Sequence, residues 1–139
     1  CFEDSFPHGV REHVLPETSL IVNLTNDGWF GKGPAQWQHA ANAVFRTIEN
    51  GIPMVRSCNN GLSCWIDSFG QVRRFFGEES GDIYGAGFAV FEIPILKSRN
   101  STFYNKYGDI FGWFCLGISF VSVLAVFAKR RLHTGKEIS

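Results

Sequence analysis

The sequence predicts a mixed α/β unit that is followed by one transmembrane helix. Short apolar runs alternate with turn residues, an amphipathic helix interrupts them, and an uncharged run of nineteen residues lies near the carboxyl end. The order helix, strand, helix and then mostly strands is that of an α/β unit without its first half. Such a unit leaves a sheet edge unpaired, so we expect that this piece does not fold well alone.

Length and composition limit the function classes. The 139 residues suffice for one domain. The formal net charge is zero, with 13 basic and 13 acidic residues, so no basic surface for nucleic acid is predicted. The 14 phenylalanines suggest a lipid-rich setting, and Cys rather than Met at position 1 suggests a piece of a longer protein.

The first predicted element is a short helix that extends from Pro7 to about Val14. Proline suits the first helical turn, and Asp4 or Ser5 is placed to cap it. Cys1 precedes this helix, where the amide dipoles favour a thiolate, and Glu3 is placed to accept a proton or to orient a partner. A single cysteine at this position is also compatible with no catalytic role.

The stretch from residue 19 to residue 31 is the candidate centre of a site. Residues 19–24 predict a buried strand because they are rich in branched side chains. The turn formers of residues 25–28 follow, and then Trp29 and Phe30, which indicates a wall of an active site. An ordinary strand-to-loop corner with a packed tryptophan is the alternative.

Residues 36–50 predict an amphipathic helix that ends at Gly51, before Pro53. Its apolar face contains Ala40, Val44 and Ile48, with Ala41 and Phe45 beside them. Arg46 and Glu49 are expected to pair on the helix surface without a functional role.

The next part of the chain predicts strands. Asn59-Asn60-Gly61 is a strong hairpin signal between residues 52–58 and 62–67. Further strands are predicted at residues 72–76 and 87–93, with a loop of glycines and acidic residues between them.

Residues 110–128 predict a transmembrane helix. The run is uncharged and is just long enough, at 1.5 Å per residue, to cross a hydrocarbon core of about 30 Å. Tyr107 and Trp113 lie near one end and Lys129-Arg130-Arg131 at the other, which places the tail in the cytoplasm and the globular part on the opposite face. A buried core helix is the alternative.

The cysteines and histidines do not predict a metal site. The four histidines at 8, 13, 39 and 133 and the absence of a C-x-x-C pair do not match zinc spacing, so neither metal nor cofactor is expected. Cys58 and Cys64 flank the hairpin turn, and whether they form a disulfide stays open.

Three motifs together resemble a known family. They are Cys1-Phe2-Glu3 with Phe6-Pro7, then NLTNDGWFG, and then HAANAVFRTIENGIPMVRSCNNG. They resemble the carboxy-terminal half of the carbon–nitrogen hydrolase (nitrilase) superfamily, and within it the apolipoprotein N-acyltransferases. The resemblance covers essentially the whole chain and implies half of an αββα sandwich over residues 1–106, a transmembrane helix over 107–128 and a basic cytoplasmic tail over 129–139.

The resemblance also implies a chemistry and its residues. The family uses a Glu-Lys-Cys triad, and Cys1 matches the nucleophile. The thiolate would take an acyl chain from a phospholipid as a thioester and pass it to the amine of the diacylglyceryl-cysteine that heads an apolipoprotein. Glu3 matches a supporting acidic residue, and Trp29, Phe30 and Phe2 are expected to contact substrate, although the family commonly has Tyr in place of Phe2.

The triad Glu and Lys lie upstream of the nucleophile in the family, so we expect the present chain to be inactive alone. The implied setting is the bacterial inner membrane, with a monomeric globular part that faces the periplasm. Two alternatives stay open: an amidase that hydrolyses small amides through the same cysteine, and a non-catalytic membrane-anchored half-domain.

Overall fold

The computed structural model describes residues 2–95 and 100–136, with side chains described as far as residue 126 and at residue 129. The chain divides into two compact units, Cys1–Lys106 and Tyr107–Ser139.

The first unit contains a four-stranded mixed sheet with helices, so the predicted α/β class is confirmed. The sheet order is β1-β2-β3-β4, with β1 and β2 parallel and the other pairs antiparallel. In chain order, the helices and strands of both units are α1 (Pro7–His13), β1 (Ile21–Asn26), α2 (Ala35–Asn50), β2 (Met54–Asn59), β3 (Cys64–Ile66), β4 (Val72–Phe75), α3 (Phe103–Tyr107) and α4 (Ile110–Lys136).

The apolar core lies where α2 packs on β2 and β3. Its buried members are Ala40, Ala43, Met54, Leu62, Cys64, Ile66 and Ile83. Helix α2 is the crossover between the parallel strands β1 and β2, and the carboxyl ends of these two strands therefore lie at the same edge of the sheet.

Helix α1 begins at Pro7 as predicted, but its predicted cap is wrong. The N-cap residue is Phe6, and no side chain caps the helix. Asp4 and Ser5 belong instead to a separate 3-10 turn, Glu3–Ser5, in which the Asp4 carboxylate points into the protein and is engaged there.

Strand β1 is an edge strand rather than the buried strand that its composition predicts. It pairs only with β2 among the described residues, and Val22 and Leu24 are 60% and 71% exposed. Its branched residues fit a pleated sheet, but burial also needs a covering layer, which the described residues do not supply here.

The buried face of α2 differs from the predicted apolar face. Ala40 is buried and Val44 packs against the core, but Phe45 and Ile48 are exposed. The buried face also carries polar side chains, namely those of Gln36, His39, Arg46, Thr47 and Asn50. His39 and Arg46 are met there by partners from other elements, whereas the Thr47 hydroxyl donates to the carbonyl of Val44 within the helix. Arg46 pairs with Glu49 as predicted but is buried rather than on the surface.

The hairpin between β2 and β3 and the turn before β4 are confirmed. Asn60 has a φ of 53°, and Gly70 has a φ of 82°. At the second turn, Asp67 Oδ1 accepts hydrogen bonds from the N–H groups of Phe69 and Gln71, each at 2.9 Å.

The strand predicted at residues 87–93 is wrong. These residues have no regular secondary structure, and Phe88 and Val90 are 88% and 84% exposed. Their apolar alternation suits a strand, but within the described residues no neighbouring strand pairs with them.

The second unit contains α4, a helix of 27 residues. Its side chains from Ile110 to Val126 are exposed, and most of them are apolar. Within the part of the chain that is described, no helix combines the length and the apolar character that a membrane span requires. The transmembrane helix over residues 110–128 is therefore not confirmed and stays a prediction.

Candidate active site

The loop after β1 projects two aromatic side chains from the end of the sheet. The N–H of Asp27 donates to the carbonyl of the last residue of β2 (2.9 Å), and the carbonyl of Asp27 accepts from the N–H of Phe30 (3.0 Å). Directly after Asp27, Gly28–Phe30 forms one 3-10 turn, and Gly31 then adopts a φ of 64°. This tight turn leaves Trp29 72% exposed and Phe30 40% exposed.

The turn near the start of the chain exposes some of its side chains and buries others. Residues Glu3–Ser5 form a single 3-10 turn, in which the carbonyl of Phe2 accepts a backbone hydrogen bond at 3.0 Å. Phe2 and Glu3 are exposed, whereas Asp4 is 1% exposed. The turn therefore places one carboxylate at the surface and one inside.

Asp4 belongs to a buried ionic cluster, which we call the Arg56 cluster and which also contains Asp27, His39 and Arg56. Arg56 Nη1 donates to Asp4 Oδ2 (2.6 Å), and Arg56 Nη2 donates to Asp27 Oδ2 (3.0 Å). His39 lies between the remaining carboxylate oxygens, with Nδ1 2.6 Å from Asp27 Oδ1 and Nε2 3.2 Å from Asp4 Oδ1. All four residues are 5% exposed or less.

The hydrogen bonds of His39 depend on its protons. A carboxylate only accepts hydrogen bonds, so the contact with Asp27 (2.6 Å) or with Asp4 is a hydrogen bond only when the ring nitrogen concerned carries a proton. Arg56 Nη2 also lies 2.9 Å from His39 Nδ1, and because a guanidinium only donates, this contact is a hydrogen bond only when Nδ1 carries no proton. Opposite charges and the hydrogen bonds between them are what make burial of four ionisable groups tolerable.

An aromatic patch of Phe2, Trp29 and Phe30 lies beside the cluster. The ring centroids of Phe2 and Trp29 are 6.5 Å apart, and His39 lies 5.4 Å from the Phe2 ring and 5.9 Å from the Phe30 ring. The structure thus brings together the three residues for which the sequence predicts substrate contact. Their role itself stays a prediction.

Of the two predicted catalytic residues, the structure describes Glu3 but not Cys1. Cys1 lies outside the described residues, so its predicted role as nucleophile stays untested. Glu3 is exposed and lies on the turn beside Phe2.

The other cysteines near the sheet are poor nucleophiles. Cys58 and Cys64 are free thiols, so the structure contains no bridge between them. Burial, and then the Asp27 carboxylate, raises the pKa of Cys58 to about 12. Burial raises the pKa of Cys64 to about 11. Both thiols are therefore protonated at neutral pH and unreactive.

Sequence reasoning did not identify the Arg56 cluster. The sequence marks Asp27 only as a turn former and Asp4 only as a candidate helix cap. Arg56 lies in the apolar strand IPMVRSC, where an arginine in register with Met54 on the core side is the one signal that a buried partner must exist. No such signal marked His39.

Comparisons with known proteins agree with the three motifs. The sequence model of the carbon–nitrogen hydrolase family matches residues 1–90. The apolipoprotein N-acyltransferase of Geobacter metallireducens is 37% identical over 136 residues, which is 96% of this chain and 24% of that protein. The apolipoprotein N-acyltransferase of Rickettsia bellii is 39% identical over 112 residues, 79% of this chain and 21% of that protein.

Apolipoprotein N-acyltransferase 1 of Treponema denticola is 32% identical over 135 residues, 94% of this chain and 24% of that protein. The chain thus spans about a quarter of the length of the curated relatives that it matches. The family match covers most of the first unit, including both turns and the Arg56 cluster. The chain belongs to the carbon–nitrogen hydrolase family.

Proposed function

We propose that this chain is part of a membrane N-acyltransferase that matures lipoproteins and carries the acyl chain on Cys1. The thiolate attacks the ester carbonyl of a phospholipid, the lysophospholipid leaves, and a thioester remains. The α-amine of a diacylglyceryl-cysteine then attacks the thioester and regenerates the thiol. The relatives are named as apolipoprotein N-acyltransferases, which supports this activity.

The observation that carries the proposal is the aromatic patch. Phe2 follows Cys1 directly in the chain, and it packs against the exposed Trp29 and against His39. An acyl donor needs an apolar surface next to the nucleophile, and exposed rings of this kind supply one. Glu3, on the same turn, is placed to support the site.

In this mechanism a general base that takes the thiol proton and a lysine that binds the oxyanion come from outside residues 1–139. A thiol has an ordinary pKa near 8.5 and is largely protonated at neutral pH. The two buried carboxylates of this region are held by Arg56 and His39, so neither is available as the base. The present chain alone is then inactive, and the first unit supplies half of an αββα sandwich in a monomeric enzyme.

We further propose that α4 anchors the protein in the bacterial inner membrane, with the first unit in the periplasm and the basic tail in the cytoplasm. The exposed apolar side chains of α4 support this. Alkaline carbonate extraction tests it: the protein should stay in the membrane pellet, and release into the supernatant contradicts the anchor. An impermeant maleimide should label a cysteine added after residue 131 only in opened cells.

The central test uses the intact protein that carries this chain. Cys1→Ala should abolish a hydroxylamine-sensitive acyl adduct that forms with labelled phospholipid, and Cys58→Ala is the matched control that should retain it. Adduct formation by the Cys1→Ala variant removes Cys1 from the mechanism. Turnover of a small amide but not of phospholipid would identify an amidase instead.

The patch is tested by a pair of tryptophan variants. Trp29→Ala should lower lipid turnover about tenfold or more, since burial of a large apolar side chain contributes about 1.5–3 kcal/mol. Trp37, 49% exposed and in edge contact with Phe75, offers the control Trp37→Ala. Equal turnover in both variants contradicts a substrate role for the patch.

A further inference from the structure

The turn Glu3–Ser5 is held by residues from two separate elements, and we call their contacts with Asp4 and Ser5 the turn clamp. Arg56 of β2 donates to one carboxylate oxygen of Asp4 (2.6 Å), and His39 of α2 contacts the other (3.2 Å). Arg46 of α2 donates from Nη1 to the backbone carbonyl of Asp4 (3.2 Å). Asn42 of α2 donates to the hydroxyl of Ser5 (3.2 Å).

The same cluster holds the aromatic loop. Arg56 Nη2 donates to Asp27 (3.0 Å), and His39 Nδ1 lies 2.6 Å from the other oxygen of that carboxylate. Asp27 precedes the turn that presents Trp29. Arg56 therefore connects the turn that follows Cys1 to the loop that carries the aromatic ring.

This connection is buried and directional. The planar guanidinium of Arg56 presents two N–H groups to two different carboxylates, which a single ammonium cannot do in the same geometry. Its side chain is 0% exposed, so water does not compete for these contacts. The relative position of the two turns thus depends on Arg56, together with His39, which contacts the same two carboxylates.

We propose that Arg56 is a positioning residue for acyl transfer, which fixes the turn after Cys1 relative to the Trp29 loop. This inference rests on the proposed function. Arg56 does not touch the reacting atoms; it acts through Asp4 and Asp27. Loosening the clamp misplaces the nucleophile relative to the bound ester, and small misplacements of this kind lower the chemical rate.

Arg56→Lys tests the proposal in the intact protein, with Arg73→Lys as the control. Arg73 pairs with Asp67 at 2.6 Å, but its side chain is 49% exposed. The Arg56→Lys variant should form the acyl-enzyme at least tenfold more slowly at saturating phospholipid, with the half-saturating concentration changed less than twofold. The Arg73→Lys variant should match the unmodified protein. Equal rates in both variants overturn the proposal.

If Arg56→Lys does not fold, a variant that removes a single contact of the turn clamp tests it instead. Asn42→Ala removes only the contact with Ser5, from a half-buried position. It should lower the rate of acyl-enzyme formation at least twofold without a change in the thermal midpoint, and an unchanged rate overturns the clamp.

A readout without turnover separates this proposal from the proposed function. The rate at which iodoacetamide alkylates Cys1, followed over pH by mass spectrometry, should change in Arg56→Lys and not in Arg73→Lys. Identical profiles overturn the clamp. An acyl adduct that persists in Cys1→Ala overturns the proposed function instead. The alkylation rates still test whether Arg56 positions the turn that follows Cys1.

Discussion

Arg56→Met should be among the most destabilising substitutions in the first unit. The methionine retains much of the aliphatic volume but removes both charged hydrogen bonds, at 2.6 Å and 3.0 Å. Asp4 and Asp27 then lose the guanidinium but keep His39, and their side chains are 1% and 0% exposed. Water therefore does not replace the lost donors.

The magnitude follows from this burial. Removal of one partner from a buried ion pair costs about 3–5 kcal/mol, because it leaves an uncompensated charge in a poorly solvated place. An exposed pair contributes about 0–1 kcal/mol. Arg73→Met, which breaks the half-exposed contact with Asp67, is therefore the matched comparison. Since domains are stable by about 5–15 kcal/mol, the Arg56→Met loss is a large share.

Urea unfolding of the two variants, followed by far-UV circular dichroism in one buffer and detergent, measures the difference in the free energy of unfolding. A second arm combines Arg56→Met with Asp4→Asn and Asp27→Asn, which removes the orphaned charges. This triple variant should regain at least half of the loss. If the two single variants differ by less than about 1 kcal/mol, the cluster does not carry the stability that its burial implies.

Three further predictions concern other parts of the first unit. Gly61→Ala should lower the free energy of unfolding by about 1–3 kcal/mol, because a Cβ at this position meets Cys58 Sγ at 2.6 Å. Gly33→Ala should be neutral, because a Cβ there meets nothing within 4 Å, and urea titrations of both variants check this. Cys58, whose pKa burial raises to about 12, should react with iodoacetamide at pH 8 at least a hundredfold more slowly than a free cysteine, as peptide mapping would show. Burial raises the pKa of Asp67, but backbone N–H donors and Arg73 lower it more, to below its usual 3.8. Its contribution is thus present above pH 4 and lost as the pH falls through the folded-state pKa, so the midpoint difference between Asp67→Asn and the unmodified protein should shrink below pH 4.

The outcomes at α2 show how far periodicity alone reaches. The apolar spacing predicted the helix and its end at Gly51 correctly, because both depend on residues near in sequence. It predicted the wrong buried face, since Phe45 and Ile48 are exposed while His39 and Thr47 are buried. His39 is buried against carboxylates of other elements, and a single helix does not display such partners.

The strand predicted at residues 87–93 failed for a related reason. Its alternation of apolar and small residues is that of a strand, but a strand also requires a neighbour with free backbone groups. Whether such a neighbour is present is decided by the arrangement of the whole sheet. Phe88 and Val90 therefore show the pattern without the structure.

The sequence predicts one part of the candidate site and not the other. The motifs around Phe2 and the Trp29-Phe30 loop were evident in the sequence, and the structure places these rings together. The Arg56 cluster beneath them was not evident. The contact between Arg56 and Asp4 joins residues 52 positions apart, and no local pattern encodes a contact over that distance.

The sequence by itself determined which helices and hairpin form in the first two thirds of the chain, and the family to which the chain belongs. These depend on turn residues, helix ends and short motifs, all of which act over a few positions. Only the tertiary structure decided that two carboxylates, a histidine and an arginine meet beneath the aromatic patch. The physical reason is that a buried charge is stable only where an opposite charge arrives from another element, so its place is a property of the packed fold.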